Sequence, residues 1–252
     1  MYPFRGGKWM ASFAFLILNY NTYNETVCCV KSIENLKKEP EDEIKIVIVD
    51  NDSTDQSLNS LRELYKEKEY IYIIHSNYNG GFSSGNNIGY KYINDNLNCD
   101  FLLMINSDIE FRQNNIFNII KKIYAETDFS VLGPDVYAFH MGIHQSPIRK
   151  DLPNLEKQQA EVASSKLLLK KYREMDKQGK KYVSFLNKKI IDELVYKYGK
   201  KMHLDKLRKN ALHYDRKYQD VMIHGSAMIF SKKYLDKYVH ALYPEPFYYG
   251  EE

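Results

Sequence analysis

The sequence places acidic and amide side chains directly after a short apolar run. Residues 101–105 are all apolar, Asn106, Ser107 and Asp108 follow them, and Glu110 comes two positions later. A magnesium or manganese ion bound to a nucleoside diphosphate needs only one or two protein carboxylates, because phosphate oxygens and water complete its shell. Asp108 could supply one carboxylate, and Glu110 would face the same side in extended chain. The alternative for this stretch alone is an ordinary turn, which the same residue types favour.

Three earlier apolar runs also end in polar residues. The first is followed by Asn19 and Asn21, the second ends at Asp50 with Asp52 close behind, and the third precedes a glycine-rich stretch. In an open parallel α/β sheet the carboxyl ends of the strands share one edge, and ligands bind there. Each end by itself is typical of a turn or a helix start. The four ends together predict one binding site.

The glycine-rich stretch, NYNGGFSSGNNIG, is a second indication of a ligand. Glycine lets the backbone approach a ligand closely, and the helix predicted after it offers unpaired N–H groups to an anion. The stretch contains neither the G-K-[ST] of a phosphate loop nor G-x-G-x-x-G. The alternative is a glycine turn that precedes a capped helix.

The elements that must position these residues follow from the pattern of apolar residues. Four runs are apolar without alternation, which suits strands covered on both faces in a parallel sheet: FAFLIL, IKIVIVD, YIYIIHS and FLLMINS. Helical spacing of apolar residues occurs at 26–38, 55–68, 86–96 and 115–126. The alternation predicts an α/β fold with a doubly wound, mostly parallel sheet flanked by helices. Residues 131–139 predict one more strand, and residues 221–238 a strand, a turn and a helix.

Charge is distributed unevenly along the 252 residues. The net charge is only +3, which gives no indication of nucleic acid as a partner, but residues 150–217 hold 19 Lys and Arg against 9 Asp and Glu. We therefore predict an α/β core at residues 1–149, a basic helical insertion at 150–218 and a segment at 219–252 that completes the core. Clustered basic residues attract anionic lipid, so the insertion is a candidate for peripheral contact with a membrane. A solvated helical face and a partner subunit are the alternatives.

The cysteines and the N-terminus indicate the compartment. Cys28, Cys29 and Cys99 form no disulfide framework, and free thiols are typical of a reducing compartment. The first apolar run, residues 13–18, is too short to span a bilayer, and no small-residue cleavage site follows it. We therefore expect a cytoplasmic protein, with peripheral contact at the inner face of the membrane.

The sequence resembles the inverting glycosyltransferases of family 2, which have the GT-A fold. The motifs are similar to those of the rhamnosyltransferase-like branch, which builds bacterial surface polysaccharide. The resemblance covers the chain except its start and residues 150–218. It is carried by the order and spacing of six motifs: ILNYN (17–21), IVIVDNDSTD (46–55), NYNGGFSSGNNIGY (77–90), LLMINSDIEF (102–111), HGSAMIFSKKYL (224–235) and PFYYGEE (246–252).

The resemblance implies a pocket for a UDP- or dTDP-sugar donor in the α/β core. Asn19 and Asn21 would line the nucleotide pocket, and Asp50 would hydrogen-bond the pyrimidine base, with Asp52 nearby. The remaining donor-side residues that the resemblance implies are Asn79, Gly80, Gly81 and Phe82 around the nucleotide and sugar, with His224 and Gly225 on the sugar and acceptor side.

The resemblance also implies a Mg²⁺ or Mn²⁺ ion and a catalytic base. Residues 106–108 match the D-x-D metal motif with Asp108 as the ligand, but Asn106 replaces the first acid. This departure either weakens the expected metal affinity or leaves Glu110 to help bind the metal. The base would be Glu251 or Glu252, with a slight preference for Glu251. Inversion requires a base opposite the leaving diphosphate, to take the proton of the acceptor hydroxyl. Family members continue past this acidic motif, so the resemblance suggests a shortened chain with weak turnover.

The implied function is transfer of a sugar, with inversion, from a nucleotide-diphosphate donor to a saccharide or polyprenyl-linked acceptor. Capsule, O-antigen or other cell-surface polysaccharide would be the product. Two alternatives stay open. A nucleotidyltransferase uses a similar sheet but usually has a loop rich in glycine and basic residues after the first strand. This chain has NYNTYNET there, which contains neither glycine nor lysine. A catalytically inactive binding or scaffold protein with this fold would explain Asn106 and the abrupt C-terminus.

Overall fold

The computed structural model describes residues 10–148, 159, 163 and 216–243. The described helices and strands, in chain order, are β1 (Ser12–Asn19), α1 (Tyr23–Glu34), β2 (Glu43–Asp50), α2 (Ser57–Tyr65), β3 (Ile71–His75), α3 (Gly81–Asn96), β4 (Phe101–Asn106), α4 (Ile116–Thr127), β5 (Val131–Leu132), β6 (Tyr137–Ala138), β7 (Ile143–His144), β8 (Ala227–Ser231) and α5 (Lys232–Leu235). None of the described helices is both long and apolar enough to cross a membrane.

A six-stranded sheet with the order β3-β2-β1-β4-β8-β5 forms the centre of the described core. The pairs β3–β2, β2–β1 and β1–β4 are parallel, whereas β8 runs antiparallel to both β4 and β5. The register aligns the polar strand ends, because Asn19 lies opposite Asp50, and Leu18 lies opposite Asn106. The prediction of an α/β fold with a mostly parallel sheet is confirmed.

Helices cover both faces of this sheet, which explains why the strands are apolar without alternation. On one face Phe13, Phe15 and Ile17 of β1 pack in a cluster with buried residues of α1, α2 and α4. On the other face Ala14 and Leu16 pack in a second cluster that includes residues of α3 and β8. Because successive side chains of a strand point to opposite faces, each strand contributes to both clusters.

The helix α3 begins at Gly81 and therefore includes much of the glycine-rich stretch, which the sequence pattern assigned to a loop up to residue 85. A Cβ atom added to Gly85 would lie 2.5 Å from the Cδ1 atom of Leu18, and one added to Gly89 would overlap Leu16. These two glycines therefore let α3 pack closely on the central strands. The pattern of apolar residues did not predict this part of the helix, because the residues that pack on the sheet there are glycines, which have no apolar side chain.

The prediction of one strand at residues 131–139 is wrong. Val131 and Leu132 form β5 in the large sheet, whereas Tyr137 and Ala138 form β6, which pairs with β7 in a separate two-stranded sheet. Between them lie Gly133 and Pro134, and proline cannot donate a hydrogen bond to a neighbouring strand.

The described residues divide into two compact units. Those up to Val136, together with those from Ile223 onward, form one unit, and those from Tyr137 to Met222 form the other. The first unit contains the six-stranded sheet, and the second contains the β6–β7 sheet. Most of the predicted basic insertion at 150–218 lies outside the described residues, so the predicted domain limits stay a prediction.

Candidate functional site

Asn19 and Asp50 form a buried floor at the carboxyl edge of the parallel strands. Both are fully buried, and the Nδ2 atom of Asn19 donates to the Oδ2 atom of Asp50 over 2.7 Å. The carboxylate of Asp50 also accepts the hydroxyl of Ser53 at 2.7 Å and its backbone N–H at 3.0 Å. A buried charge is tolerated when several donors surround it. The ends of β1 and β2 are therefore held in one hydrogen-bonded cluster.

The amide of Asn19 also ties the start of α1 to this floor. Its Oδ1 atom accepts the hydroxyls of Thr22 at 3.1 Å and Thr26 at 2.9 Å, while Nδ2 donates a second bond to Ser53 Oγ at 3.1 Å. Asn19 thus uses both ends of its amide within the protein. It positions the loops of the predicted pocket, and the prediction that it lines the pocket stays untested.

Asn21 fixes the loop that follows β2. Its Oδ1 atom accepts the backbone N–H groups of Thr54 at 2.9 Å and Asp55 at 3.3 Å, and its own backbone adopts a left-handed conformation with φ 55°. Asp52 is also left-handed, with φ 63°, and its carboxylate lies 3.2 Å from the Nε2 atom of His75. The side chain of Asp52 is 47% exposed. The β2 loop therefore offers one accessible carboxylate beside a histidine.

Asn51 joins the β2 end to the glycine-rich stretch. Its Nδ2 atom donates to Asn79 Oδ1 at 3.0 Å and to the carbonyl of Gly81 at 3.2 Å, and Gly81 N–H donates to Asn79 Oδ1 at 3.0 Å. Gly81 has φ +81°, which favours glycine. Asp50 and Asn79 thus lie in neighbouring, bonded segments. Asn51 was not among the predicted site residues, although an amide between two candidate acids was a usable signal.

Gly80 and Phe82 complete this loop at the start of α3. A Cβ atom added to Gly80 would lie 2.6 Å from Ser84 Oγ and 2.8 Å from the ring of Tyr78, so a side chain there would collide with the first turn of the helix. Phe82 is partly buried and packs against the cluster on the α3 face of the sheet. The first turn of a 16-residue helix therefore begins at the carboxyl edge, where its N–H groups can meet an anion.

Asn106 and Asp108 follow β4 on the other side of β1. The backbone of Asn106 donates to the Ser226 carbonyl at 2.9 Å and accepts a weak bond from Cys29 Sγ at 3.9 Å. Its side-chain Oδ1 atom is buried and has no hydrogen-bond partner among the described residues. Asp108 is exposed. Burial raises the pKa of the Cys29 thiol to about 12, and the nearby charge of Asp108 adds to this effect.

His224 and Gly225 lie in the turn that enters β8, next to the end of β4. The Nδ1 atom of His224 accepts the backbone N–H of Ser226 at 3.2 Å and lies 2.7 Å from the Ser226 hydroxyl. Gly225 is buried. Because Ser226 is bonded to Asn106, this turn and the 106–108 segment are held together at the edge of the sheet.

Glu110 and the two C-terminal acids are the remaining acidic residues of the prediction. Glu251 and Glu252 lie outside the described residues, and Glu110 is an exposed residue with Arg112 at 3.6 Å. Within the part of the chain that the structure describes, no three His, Cys, Asp or Glu side chains form a group that could hold a metal ion. A divalent cation at Asp108 would therefore depend on oxygens of its ligand and on Asn106.

The fold and the convergence of polar strand ends define an α/β protein whose candidate ligand site lies at the carboxyl edge of a parallel sheet. Residues 16–166 match the family described as Glycosyl transferase family 2, and the chain belongs to this family.

The individual proteins to which the chain is similar match it over only part of their length. The low-salt glycan biosynthesis hexosyltransferase Agl10 of Haloferax volcanii is 29% identical over 123 residues, which cover 49% of this chain and 36% of that protein. The matched stretch thus spans about a third of the relative's length. Residues 1–349 of S. aureus TarS in complex with UDP are 23% identical, with a TM-score of 0.45, over 54% of this chain and 38% of that one. The mannosyltransferase PcManGT from Pyrobaculum calidifontis, in complex with GDP-Man and Mn²⁺, is 11% identical, with a TM-score of 0.44, over 52% and 36%.

Proposed function

We propose that this chain transfers a sugar from a UDP- or dTDP-sugar to a saccharide or lipid-linked acceptor, with inversion at the anomeric carbon. Membership of glycosyl transferase family 2 supports the reaction class. The observation that supports the proposed site is the register of the strand ends, in which Asn19 lies opposite Asp50 and Leu18 lies opposite Asn106, together with the bond from Asn51 to Asn79. Synthesis of cell-surface polysaccharide is the proposed setting.

The donor nucleotide would bind over the ends of β1, β2 and β3. Asn19, Asn21 and Asn51 hold the loops there, so little conformational entropy would be lost on binding. The first turn of α3 would receive the diphosphate, because unpaired helical N–H groups attract anions. Asp50 is assigned the base contact by the resemblance, although its carboxylate is buried and already accepts three hydrogen bonds.

The residue types at 106–108 support the proposal of a divalent metal there. The exposed carboxylate of Asp108 would be one ligand, and the buried Oδ1 atom of Asn106, which lacks a partner among the described residues, would be a second. Both are oxygen donors, which Mg²⁺ and Mn²⁺ prefer. When bound, the metal would neutralise charge on the departing diphosphate. One carboxylate and one amide bind more weakly than two carboxylates, so we expect low affinity for free metal.

The chemical step needs a base on the acceptor side. The acceptor hydroxyl oxygen would form a bond to the anomeric carbon, the bond from that carbon to the diphosphate would break, and the diphosphate would leave with the bonding electrons. The hydroxyl proton would pass to a carboxylate, for which Glu251 or Glu252 is proposed.

A screen of nucleotide binding tests the proposal. Thermal unfolding would be measured with UDP, dTDP, GDP and CDP, each with and without Mn²⁺. A ligand at a hundred times its dissociation constant stabilises a protein by about 2.7 kcal/mol, which is readily measured. We expect stabilisation by UDP or dTDP that increases with Mn²⁺. Stabilisation by none of the four nucleotides would remove the proposed donor site.

Asp108→Ala and Glu110→Ala form a matched pair for the metal. Both remove an exposed carboxylate from the same loop, and Glu110 already pairs with Arg112. We expect Asp108→Ala to abolish the Mn²⁺-dependent part of the stabilisation, whereas Glu110→Ala retains it. Donor hydrolysis measured on the same variants separates an enzyme from a scaffold protein, because only an enzyme would lose turnover with Asp108.

The basic segment at 150–217 is proposed to contact an anionic membrane surface, where a polyprenyl-linked acceptor would be found. Sedimentation with anionic vesicles at low and high salt tests this contact. Lack of binding at low salt would contradict it.

A further inference from the structure

One face of α3 carries a row of polar side chains that bind the main chain of residues 235–242. Asn87 Nδ2 donates to the Leu242 carbonyl at 2.8 Å, and Tyr90 OH donates to the Tyr238 carbonyl at 2.7 Å. A turn further along the helix, Asn94 Nδ2 donates to the Leu235 carbonyl at 3.2 Å. Positions three and four residues apart share a helix face, so one helix holds the whole segment.

Asn87 makes the densest contact in this row. Its Oδ1 atom accepts the backbone N–H groups of Ala241 at 2.9 Å and Leu242 at 3.0 Å, in addition to the bond that Nδ2 donates to Leu242. One side chain thus binds two consecutive residues through three hydrogen bonds. Asn87 is buried, and Ala241 and Leu242 are buried in the apolar cluster on the same face of the sheet.

The helix itself does not explain an asparagine at this position. Asparagine is a weak helix former, and a buried amide is costly unless it is hydrogen-bonded. The three hydrogen bonds to Ala241 and Leu242 offset both costs. The contact therefore accounts for the residue type.

The same helix begins in the candidate donor site. Gly81, its first residue, is bonded to Asn51 and Asn79 at the ends of β2 and β3. Asn87 is six residues further on, which is about 9 Å along a helix. The acidic motif PFYYGEE begins four residues after Leu242 in the sequence. One rigid element therefore connects the donor loop to the chain that leads into the acidic motif.

We propose that Asn87 is a positioning residue for the transfer reaction, which fixes the chain before the acidic motif relative to the donor loop. This inference rests on the proposed function, because it assigns the catalytic base to that motif. A purely structural role for Asn87 would lower stability without any selective effect on turnover.

Asn87→Ala and Asn94→Ala are the matched variants that test the proposal. Both remove a side-chain amide from α3 that binds the same segment, but Asn94 binds it at Leu235, far from the acidic motif in the sequence. We expect Asn87→Ala to lower kcat for hydrolysis of UDP-glucose by about 10- to 100-fold, because small misplacements of a catalytic group have effects of this size. Its KM and the Kd of UDP should change less than about threefold. Asn94→Ala should leave kcat within about twofold of the original protein.

A measurement without turnover accompanies the kinetics. Hydrogen exchange of peptides covering residues 236–252 would be followed with and without saturating UDP. We expect UDP to slow exchange there in the original protein and in Asn94→Ala, but not in Asn87→Ala. If Asn87→Ala does not fold, Asn87→Asp serves instead, since it keeps an acceptor for Ala241 and Leu242 and should show an intermediate loss.

The outcomes separate this inference from the proposed function. If UDP, dTDP, GDP and CDP all fail to bind, the proposed function fails and the inference fails with it. If UDP binds but does not slow exchange in 236–252, or if the Asn87 and Asn94 variants behave alike, the inference alone is overturned. A parallel loss of UDP affinity and kcat in Asn87→Ala would also contradict it, because the residue would then act on the donor loop.

Discussion

Replacing Asn19 tests whether the floor of the candidate site is built as described. In Asn19→Ala the carboxylate of Asp50 loses a donor at 2.7 Å, and the buried hydroxyl of Thr26 loses its acceptor at 2.9 Å. A hydrogen bond to a charged group contributes about 1.5–3 kcal/mol, and a buried group left unpaired costs about 1–3 kcal/mol. We therefore expect the free energy of unfolding to fall by about 3–5 kcal/mol.

The assay is urea unfolding followed by circular dichroism, with Asn21→Ala as the control. Asn21 also bonds a neighbouring loop, but it is exposed, so Asn21→Ala should cost less, about 1–2 kcal/mol, which includes the strain of alanine at the left-handed φ of 55°. A cost below about 1 kcal/mol for Asn19→Ala would refute the account of a buried network, because water would then be replacing the lost bonds.

Asn19→Asp extends this test to pH. The substitution places a second carboxylate where an N–H group now lies 2.7 Å from Asp50 Oδ2. Two carboxylates at this separation repel, so the introduced group should have a folded-state pKa above its unfolded value of about 3.9. A raised folded-state pKa means that stability is retained below the unfolded pKa and lost as pH rises through the folded one. The variant should therefore be closest to the original protein near pH 4 and much less stable at pH 7. Equal loss at both pH values would contradict the close approach of the two side chains.

Three further predictions concern the frame of the site. Asp42→Ala should cost about 3–5 kcal/mol of unfolding free energy, since it removes the buried carboxylate that lies 2.7 Å from the Lys121 ammonium group, and adding Lys121→Met should recover part of this cost. Iodoacetamide at pH 8 should modify the exposed Cys28 but not Cys29, because burial raises the pKa of the Cys29 thiol to about 12. Fragmentation of the labelled peptide in a mass spectrometer distinguishes the two cysteines, and a label on Cys29 would contradict this prediction. Gly89→Ala should lower stability by about 1–3 kcal/mol in thermal unfolding, because the new methyl group would overlap Leu16, and an unchanged melting temperature would contradict the close packing of α3.

The sheet could be predicted from the sequence because its strands are buried on both faces. Unbroken apolar runs such as FAFLIL need no knowledge of distant partners, and the observed β1 to β4 follow them closely. The convergence of polar residues at the strand ends followed from parallel pairing alone. The start of α3 was not predicted, because Gly85 and Gly89 pack α3 on the sheet without any apolar side chain that a helical pattern could show. The break between β5 and β6 at Gly133 and Pro134 was not predicted either.

Contacts between distant segments could not be predicted in the same way. Asn51 was recognisable only by its position between two acids, and its partner Asn79 lies 28 residues further along the chain. Asn87 is bonded to a residue 155 positions away, so no local pattern identifies its role. The stretch NYNGGFSSGNN contains several asparagines. Only the packing of α3 distinguishes Asn79, which bonds Asn51, from Asn87, which bonds residues 241–242.

The site therefore combines two kinds of polar group with different physical roles. Asn19 is buried with both ends of its amide hydrogen-bonded, and Asp50 is buried and accepts three hydrogen bonds, which suits both residues to hold loops in place. Asp108 and Asp52 keep accessible carboxylates, and only accessible groups can exchange water for a ligand or a cation. A rigid floor and accessible acids at one edge of the sheet would suit the proposed binding of a charged, flexible nucleotide sugar, because the protein groups are ordered before the ligand arrives.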